Sequence, residues 1–250
     1  MMTIEQARNT SAPQPLLNER YAVYFAPAKL SPWWQFGAHW LGRDDWENTA
    51  LPQPKTEGIC TDEFARITAQ PRRYGFHATL KAPFRLADGH TQTTLLSRLH
   101  LLASQLAPVP LGRMHAVTLA GFVALSPNGD VAGLQQLAAQ CVQQLDDLRA
   151  PPSPKDLLRR QAHQLDEREA ELLGLYGYPY VMERFRLHFT LTSALAAADA
   201  RRIEQVASKK IEPLNRDFPL TLDRLCLFAE HTADAPLVRI ADILLHGSAR

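Results

Sequence analysis

Two stretches decide how this chain is read: residues 74–83, YGFHATLKAP, and residues 183–192, ERFRLHFTLT. Each carries His-x-Thr-Leu inside an apolar run, first from His77 to Leu80 and again from His188 to Leu191. A β-strand turns successive side chains to opposite faces. On that alternation Phe76, Ala78, Leu80 and Ala82 share one face of the first run, and Gly75, His77, Thr79 and Lys81 share the other. In the second run Phe185, Leu187, Phe189 and Leu191 share a face, against Arg184, Arg186, His188, Thr190 and Thr192. Each strand therefore has an apolar side for helices to cover and a polar side carrying His, then Thr, beside cations.

Two such polar faces brought together line a cleft suited to a phosphate ester. Threonine hydroxyls donate to phosphoryl oxygens, and lysine or arginine offsets their charge. A pair of imidazoles supplies a base for the incoming water and an acid for the leaving oxygen. With an ordinary pKa of about 6.5, imidazole reaches both protonation states near neutrality. The expected acid–base pair is His77 and His188. The expected phosphate ligands are Thr79, Thr190, Lys81 and Arg186, with Tyr24, Tyr74, Tyr178, Tyr180 and Arg184 as further substrate contacts. No carboxylate or thiolate repeats with the histidines, so no metal or other cofactor is expected.

Around these runs the pattern is that of an α+β chain. RYAVYFAP (20–27) reads as a strand ending at Pro27. A short helix is expected from Pro32, turning at Gly42 within a segment that holds all four tryptophans, which read as packing or a subunit contact. Leucines at helical spacing place a helix over about 91–106, and a second amphipathic helix covers 131–148. AVTLAGFVALSP (116–127) reads as one strand bent at Gly121. RAPPSP (149–154) stops the helical pattern and marks a switch between lobes. A charged helix over 155–173 follows, a candidate lid over one end of the cleft. The second histidine strand is expected over 181–192, a helix over 199–211, and strands over 219–230 and 236–245. The histidine runs thus sit in two similar halves, an apparent internal duplication. The expected architecture is two pseudo-symmetric lobes, each an antiparallel sheet backed by helices, around a central cleft. Residues 1–19 read as a loose tail and 20–250 as a single bilobal domain.

Composition narrows the function classes. A net charge of +1 gives no global field toward nucleic acid or membrane, so any anion must be held locally. Three scattered cysteines, Cys60, Cys141 and Cys226, argue against a disulfide framework and suit a reducing cytoplasm. No apolar run approaches the roughly 18 residues needed to span a bilayer. The expected partner is a small phosphate-ester substrate; extended nucleic acid and membranes are not expected, and the pattern leaves the oligomeric state open.

The paired His-x-Thr strands resemble the two-histidine (2H) phosphoesterase superfamily, which includes the RNA 2′,5′-ligase and cyclic phosphodiesterase proteins. RYAVYFAP, WLGRD (40–44), PRRYGFHATLKAPFRL (71–86), GFVAL (121–125), GYPYV (177–181) and FRLHFTLT (185–192) are closest to its branch of phosphonate-metabolism proteins. The resemblance implies the bilobal fold, catalysis by His77 with Thr79 and His188 with Thr190, and metal-independent hydrolysis of a small, often cyclic, phosphodiester. Its phosphonate branch implies a cyclic ribose phosphate formed on carbon–phosphorus cleavage. Two alternatives stand beside it: processing of RNA 2′,3′-cyclic or 2′,5′ ends, and binding of a nucleotide or phosphonate metabolite without turnover.

Overall fold

A computed structural model describes residues 19–153 and 165–247 of the chain. Residues 1–18 of the expected tail over 1–19, and the first part of the expected lid helix, lie outside these residues. The strands are β1 (Arg20–Phe25), β2 (Ala78–Phe84), β3 (Val109–Gly112), β4 (Met114–Leu119), β5 (Phe122–Pro127), β6 (Phe189–Thr190), β7 (Leu220–Leu222), β8 (Arg224–Glu230) and β9 (Val238–Leu244). The helices are α1 (Pro32–Leu41), α2 (Thr61–Ile67), α3 (Ala69–Arg72), α4 (Gln92–Gln105), α5 (Leu134–Gln143), α6 (Glu167–Tyr176) and α7 (Ala197–Asp217).

The α+β expectation holds. Seven strands form one antiparallel sheet in the order β4-β5-β6-β2-β1-β8-β9, and β3 pairs with β7 in a second, two-stranded sheet. The two histidine runs come from distant parts of the chain yet lie side by side at the join, where β2 pairs with β6 through Ala78 and Phe189. On one side of that join stand β1, β8 and β9, and on the other β5 and β4. The two halves thus share a continuous sheet.

Alternation along β1 separates the faces of that sheet. Tyr21, Val23 and Phe25 enter the main core with Ala78, Leu80, Phe189 and Leu225, beneath side chains from α1, α2, α4, α5 and α7. Ala22, Tyr24 and Ala26 belong instead to a small cluster with Cys226, Phe228 and Leu237, against which Tyr74 packs. The histidines stand on the second face, with the helical layer behind them. Phe76 and Phe189, one beside each histidine, stack in the core at 4.8 Å between ring centroids and tie the two runs together from behind.

Local chemistry explains several elements and corrects others. Pro32 occupies the first turn of α1, the Ser31 side chain caps the Trp34 amide, and Gly42 ends the helix at φ 75°. The 116–127 segment is a hairpin and not a bent strand. Ala120 and Gly121 both have positive φ, 45° and 87°, the geometry of a two-residue turn that matches strand twist. The 131–148 helix is shorter than its apolar spacing suggested, with a separate 3-10 turn over Asp146–Leu148. The 219–230 segment divides between the two sheets at Asp223. The second histidine strand shrinks to Phe189–Thr190. It is preceded by a 3-10 turn over Met182–Arg184 in which Met182 has φ 51°. Trp33, Trp34 and Trp40 are buried, and the Trp40 indole donates to the Leu191 carbonyl at 3.0 Å, bracing the second histidine run. The three cysteines are free thiols.

Candidate functional site

The site begins with a local device used twice. His77 Nδ1 lies 2.9 Å from the Gly75 carbonyl, and His188 Nδ1 lies 2.9 Å from the Arg186 carbonyl. In both cases a backbone carbonyl two residues back accepts from the ring. A proton held on Nδ1 leaves Nε2 as the free, basic nitrogen of a neutral imidazole. At His77 the Thr79 hydroxyl stands 3.3 Å from that Nε2.

Antiparallel pairing then brings the two devices together. Ala78 faces Phe189. That is the single pair that joins the two strands; antiparallel counting one residue beyond it matches His77 with Thr190 and Thr79 with His188. Directly opposed residues have Cα atoms about 4.5–5.5 Å apart. The two histidines are diagonal neighbours, about 7–8 Å apart at the backbone. A phosphoryl group with a hydrogen bond of about 2.7–3 Å on either side fits such a gap. All four side chains are half-buried, so they remain reachable.

The surroundings lower the basicity of both rings. Tyr24, opposite Thr79 on β1, stacks on His77 with ring centroids 3.8 Å apart and planes inclined by 24°. Burial pushes the His77 imidazole down to about 4; the Gly75 carbonyl works against the shift, and His188 and Arg43 add to it. Burial also lowers His188, against the pull of the Arg186 carbonyl. Burial raises the Tyr24 phenol well above its usual range, and the nearby Tyr74 and Tyr178 phenols contribute.

The run Tyr74–His77 is held from below by groups that the motif itself does not reveal. Arg43 donates to the carbonyls of Arg72 at 2.8 Å and Arg73 at 2.7 Å, and to that of Leu237. Gly75 has φ 78°, and a Cβ there would stand 3.0 Å from the Asp45 Cβ. Only glycine accepts both the left-handed backbone and the close approach. Arg72 is drawn inward, donating to the Leu41 carbonyl and the Thr68 hydroxyl. Arg73 pairs with Glu230, which also pairs with Arg20 and is fully buried. Arg43 and Gly75 lie within WLGRD and PRRYGFHATLKAPFRL, two of the stretches that carry the resemblance.

The remaining expected contacts divide. Tyr24 and Tyr74 stand beside His77, with Tyr74 at 6.3 Å between centroids. Tyr178 lies close enough to act on the Tyr24 phenol. Tyr180 is exposed and packs edge-on against Tyr178. Arg184 is turned to Asp166 at 2.6 Å. Arg186 is exposed, and among the described residues no ion pair engages its guanidinium.

Lys81 requires a correction. It is buried, donating to Asp146 Oδ1 at 3.0 Å and to the Val142 carbonyl at 3.1 Å, at the C-terminal end of α5. Strict alternation put it on the histidine face, but β2 is bulged. Thr79 opposes Tyr24 whereas Lys81 opposes Val23, so Leu80 is an extra residue and parity is lost beyond it. Burial lowers the Lys81 ammonium despite Asp146. Burial alone would raise the Asp146 carboxyl, but Arg149 and Lys81 hold it below the usual range.

Residues 79–238 match the family described as "Protein of unknown function (DUF1045)". The chain belongs to this family. The DUF1045 match includes Thr79, His188 and Thr190, and His77 stands two residues before it. The chain is also similar to two proteins named ribose 1,5-bisphosphate phosphokinase PhnN. With that of Janthinobacterium sp. (strain Marseille) it shares 38% identity over 222 residues, 88% of this chain and 49% of the relative. With that of Laribacter hongkongensis (strain HLHK9) it shares 38% over 231 residues, 92% of this chain and 53% of the relative. The chain spans about half the length of these curated relatives.

Among the described residues no three His, Cys, Asp or Glu side chains gather as a metal's ligand set. No helix of the described residues is long and apolar enough to cross a membrane.

Proposed function

We propose that this chain is a phosphoesterase that opens a small cyclic phosphodiester by paired-histidine acid–base catalysis, within phosphonate breakdown. The single observation that carries the reading is the doubled device: two imidazoles, each tethered at Nδ1 by the carbonyl two residues back and each immediately preceding one of two paired strands.

In the proposed step a water oxygen bonds to phosphorus while His77 Nε2 takes a water proton. The phosphorus–oxygen bond on the far side breaks, and His188, protonated at Nε2, gives its proton to the departing alkoxide. The product is a phosphate monoester with a free hydroxyl. Thr79 and Thr190 donate to the non-bridging oxygens, and Arg186 is the cation available to offset their charge. His77 is assigned the base because it stays neutral down to about pH 4. No step in this scheme requires a metal.

A second reading follows from the relatives' name. A phosphokinase transfers a phosphoryl group between substrates, a different reaction from hydrolysis. The chain contains no GxxxxGK[ST] phosphate loop. Its nearest match, from Gly37 to Asp44, has Arg-Asp where Lys-Ser/Thr belongs and lies mostly within α1. Because the chain covers only about half of those relatives, hydrolysis is the reading its own residues favour.

The test is a screen of ribose 1,2-cyclic and nucleoside 2′,3′- and 3′,5′-cyclic phosphates, with products read by phosphorus NMR from pH 4 to 8. Turnover needs one imidazole neutral and the other protonated. Both pKa values lie below 6.5, so the productive form is scarce at pH 7 and grows as pH falls. It declines again as His77 protonates near pH 4. The expected kcat/KM profile for the free enzyme is a bell with its maximum below pH 6.5. A rate that climbs through pH 7 to 8, or transfer from a nucleoside triphosphate with no hydrolysis of any cyclic phosphate, contradicts the proposal.

A further inference from the structure

We infer that Tyr24 is a positioning residue for His77: its ring covers one face of the imidazole, fixes the ring plane, and leaves Nε2 as the basic edge turned to Thr79. This deepens the phosphodiesterase reading and rests on it for His77 being the base. The placement follows from the sheet. Tyr24 on β1 stands opposite Thr79 on β2, so His77, two residues earlier, is its diagonal neighbour. Diagonal pairs lie about 7–8 Å apart at the backbone, within reach of aromatic side chains.

The two rings meet nearly face to face, with centroids 3.8 Å apart and planes inclined by 24°. Tyr24 is itself held by Phe228 on β8, at 5.0 Å between centroids and a tilt of 50°. Only 1% of Tyr24 is exposed, so it has almost no surface left to give a ligand. The Gly75 carbonyl holds the Nδ1 edge of His77 at 2.9 Å, and the Thr79 hydroxyl stands 3.3 Å from Nε2. One face and one edge of the imidazole are thus occupied by fixed groups. His188 has the same Nδ1 tether without the stack: Phe122 lies 5.8 Å away, inclined by 45°. The two imidazoles are therefore unlike, one clamped and one looser.

Around His77 stand Tyr74 and the Gly75 carbonyl on its own run, Tyr24 on β1, Phe228 on β8, Arg43 from the segment after α1, and His188 from the second run. Arg43 and His188 lower its basicity as cations, and the Gly75 carbonyl raises it. Tyr24 acts by cover and not by charge, because burial holds its phenol neutral throughout the range in which imidazole titrates. A protonated imidazole needs water at its faces, and a ring laid on one of them excludes it. Attraction of an imidazolium to the Tyr24 face opposes this effect. Burial is the larger influence, and the net shift of His77 is downward, to about 4.

The experiment is proton and nitrogen NMR of the full chain with labelled histidine, titrated with acid and without ligand. It needs no turnover, so a failure of the phosphodiesterase reading leaves its outcome unaffected. In the unaltered chain the carbon-bound ring protons of His77 should be shifted upfield by the Tyr24 ring, with the proton of the neutral form on Nδ1. Tyr24→Phe keeps the ring and should hold the His77 pKa within about 0.3 of a unit, with the same tautomer. Tyr24→Leu covers less of the imidazole and should raise the His77 pKa by about one unit or more. Its neutral form should then divide between the two tautomers, while His188 stays as it was. Melting curves confirm that each variant is folded. A Tyr24→Leu chain with unchanged His77 pKa and tautomer overturns the inference and leaves Tyr24 a packing residue. So does a Tyr24→Phe chain that moves as far as Tyr24→Leu, which gives the work to the phenol. Absence of the upfield shift in the unaltered chain overturns it without any variant.

Discussion

Replacing either histidine by alanine is expected to lower kcat for the proposed cyclic substrate by about two to four powers of ten, with KM changed far less. The span is that of a lost acid or base. In the proposed step the two act in one displacement, so the double variant should be little slower than the worse single one. The structure adds a distinction between them. His77 carries the Tyr24 ring on its face at 3.8 Å, so His77→Ala also removes a packing partner and should lower the melting temperature. His188 has a looser aromatic neighbour, Phe122, at 5.8 Å, and its replacement should cost less stability. Steady-state rates, with melting curves on the same preparations, separate lost chemistry from lost fold. Full activity in the double variant removes the histidines from the mechanism.

The second large effect lies far from any reacting atom. Gly37 in α1 packs against Phe76 so closely that an added Cβ would stand 1.9 Å from a ring carbon. Phe76 immediately precedes His77 and stacks on Phe189, which immediately follows His188. A side chain at Gly37 must push that stack and both histidines with it. Overpacking in a dense core costs about 1–3 kcal/mol, and sometimes more. Gly37→Val should reach the upper end, a fall in melting temperature of about 6–12 °C at about 2–4 °C per kcal/mol. It should also reduce kcat in the folded fraction at temperatures well below melting. An unchanged melting temperature would show that the stack yields without strain, and that α1 does not set the histidine positions.

How much of this was legible in the sequence depends on how local the signal was. The histidine and threonine faces followed from alternation, because β2 stays regular from Ala78 to Thr79. The same alternation failed at Lys81, two residues on. A bulge is decided by how β2 packs against β1, and nothing in ATLKAPF announces it. Helix α1 was readable from Ser31, Pro32 and Gly42, each of which acts on its own backbone. The hairpin at Ala120–Gly121 was missed because alanine is a rare residue at positive φ; the sequence showed only one of the two turn glycines commonly found there. Strand β6 was overread because FRLHFTLT alternates well, while the preceding 3-10 turn depends on tertiary contacts.

The central claim is that two imidazole Nε2 atoms face one phosphorus-sized gap. Nitrogen NMR of the histidine-labelled full chain, titrated with inorganic phosphate near pH 6, tests it directly. The account predicts that the Nε2 resonances of His77 and His188 move together along one saturation curve with a single Kd, while each Nδ1 stays on its carbonyl. Movement of only one ring, or of the two rings with separate affinities, contradicts it.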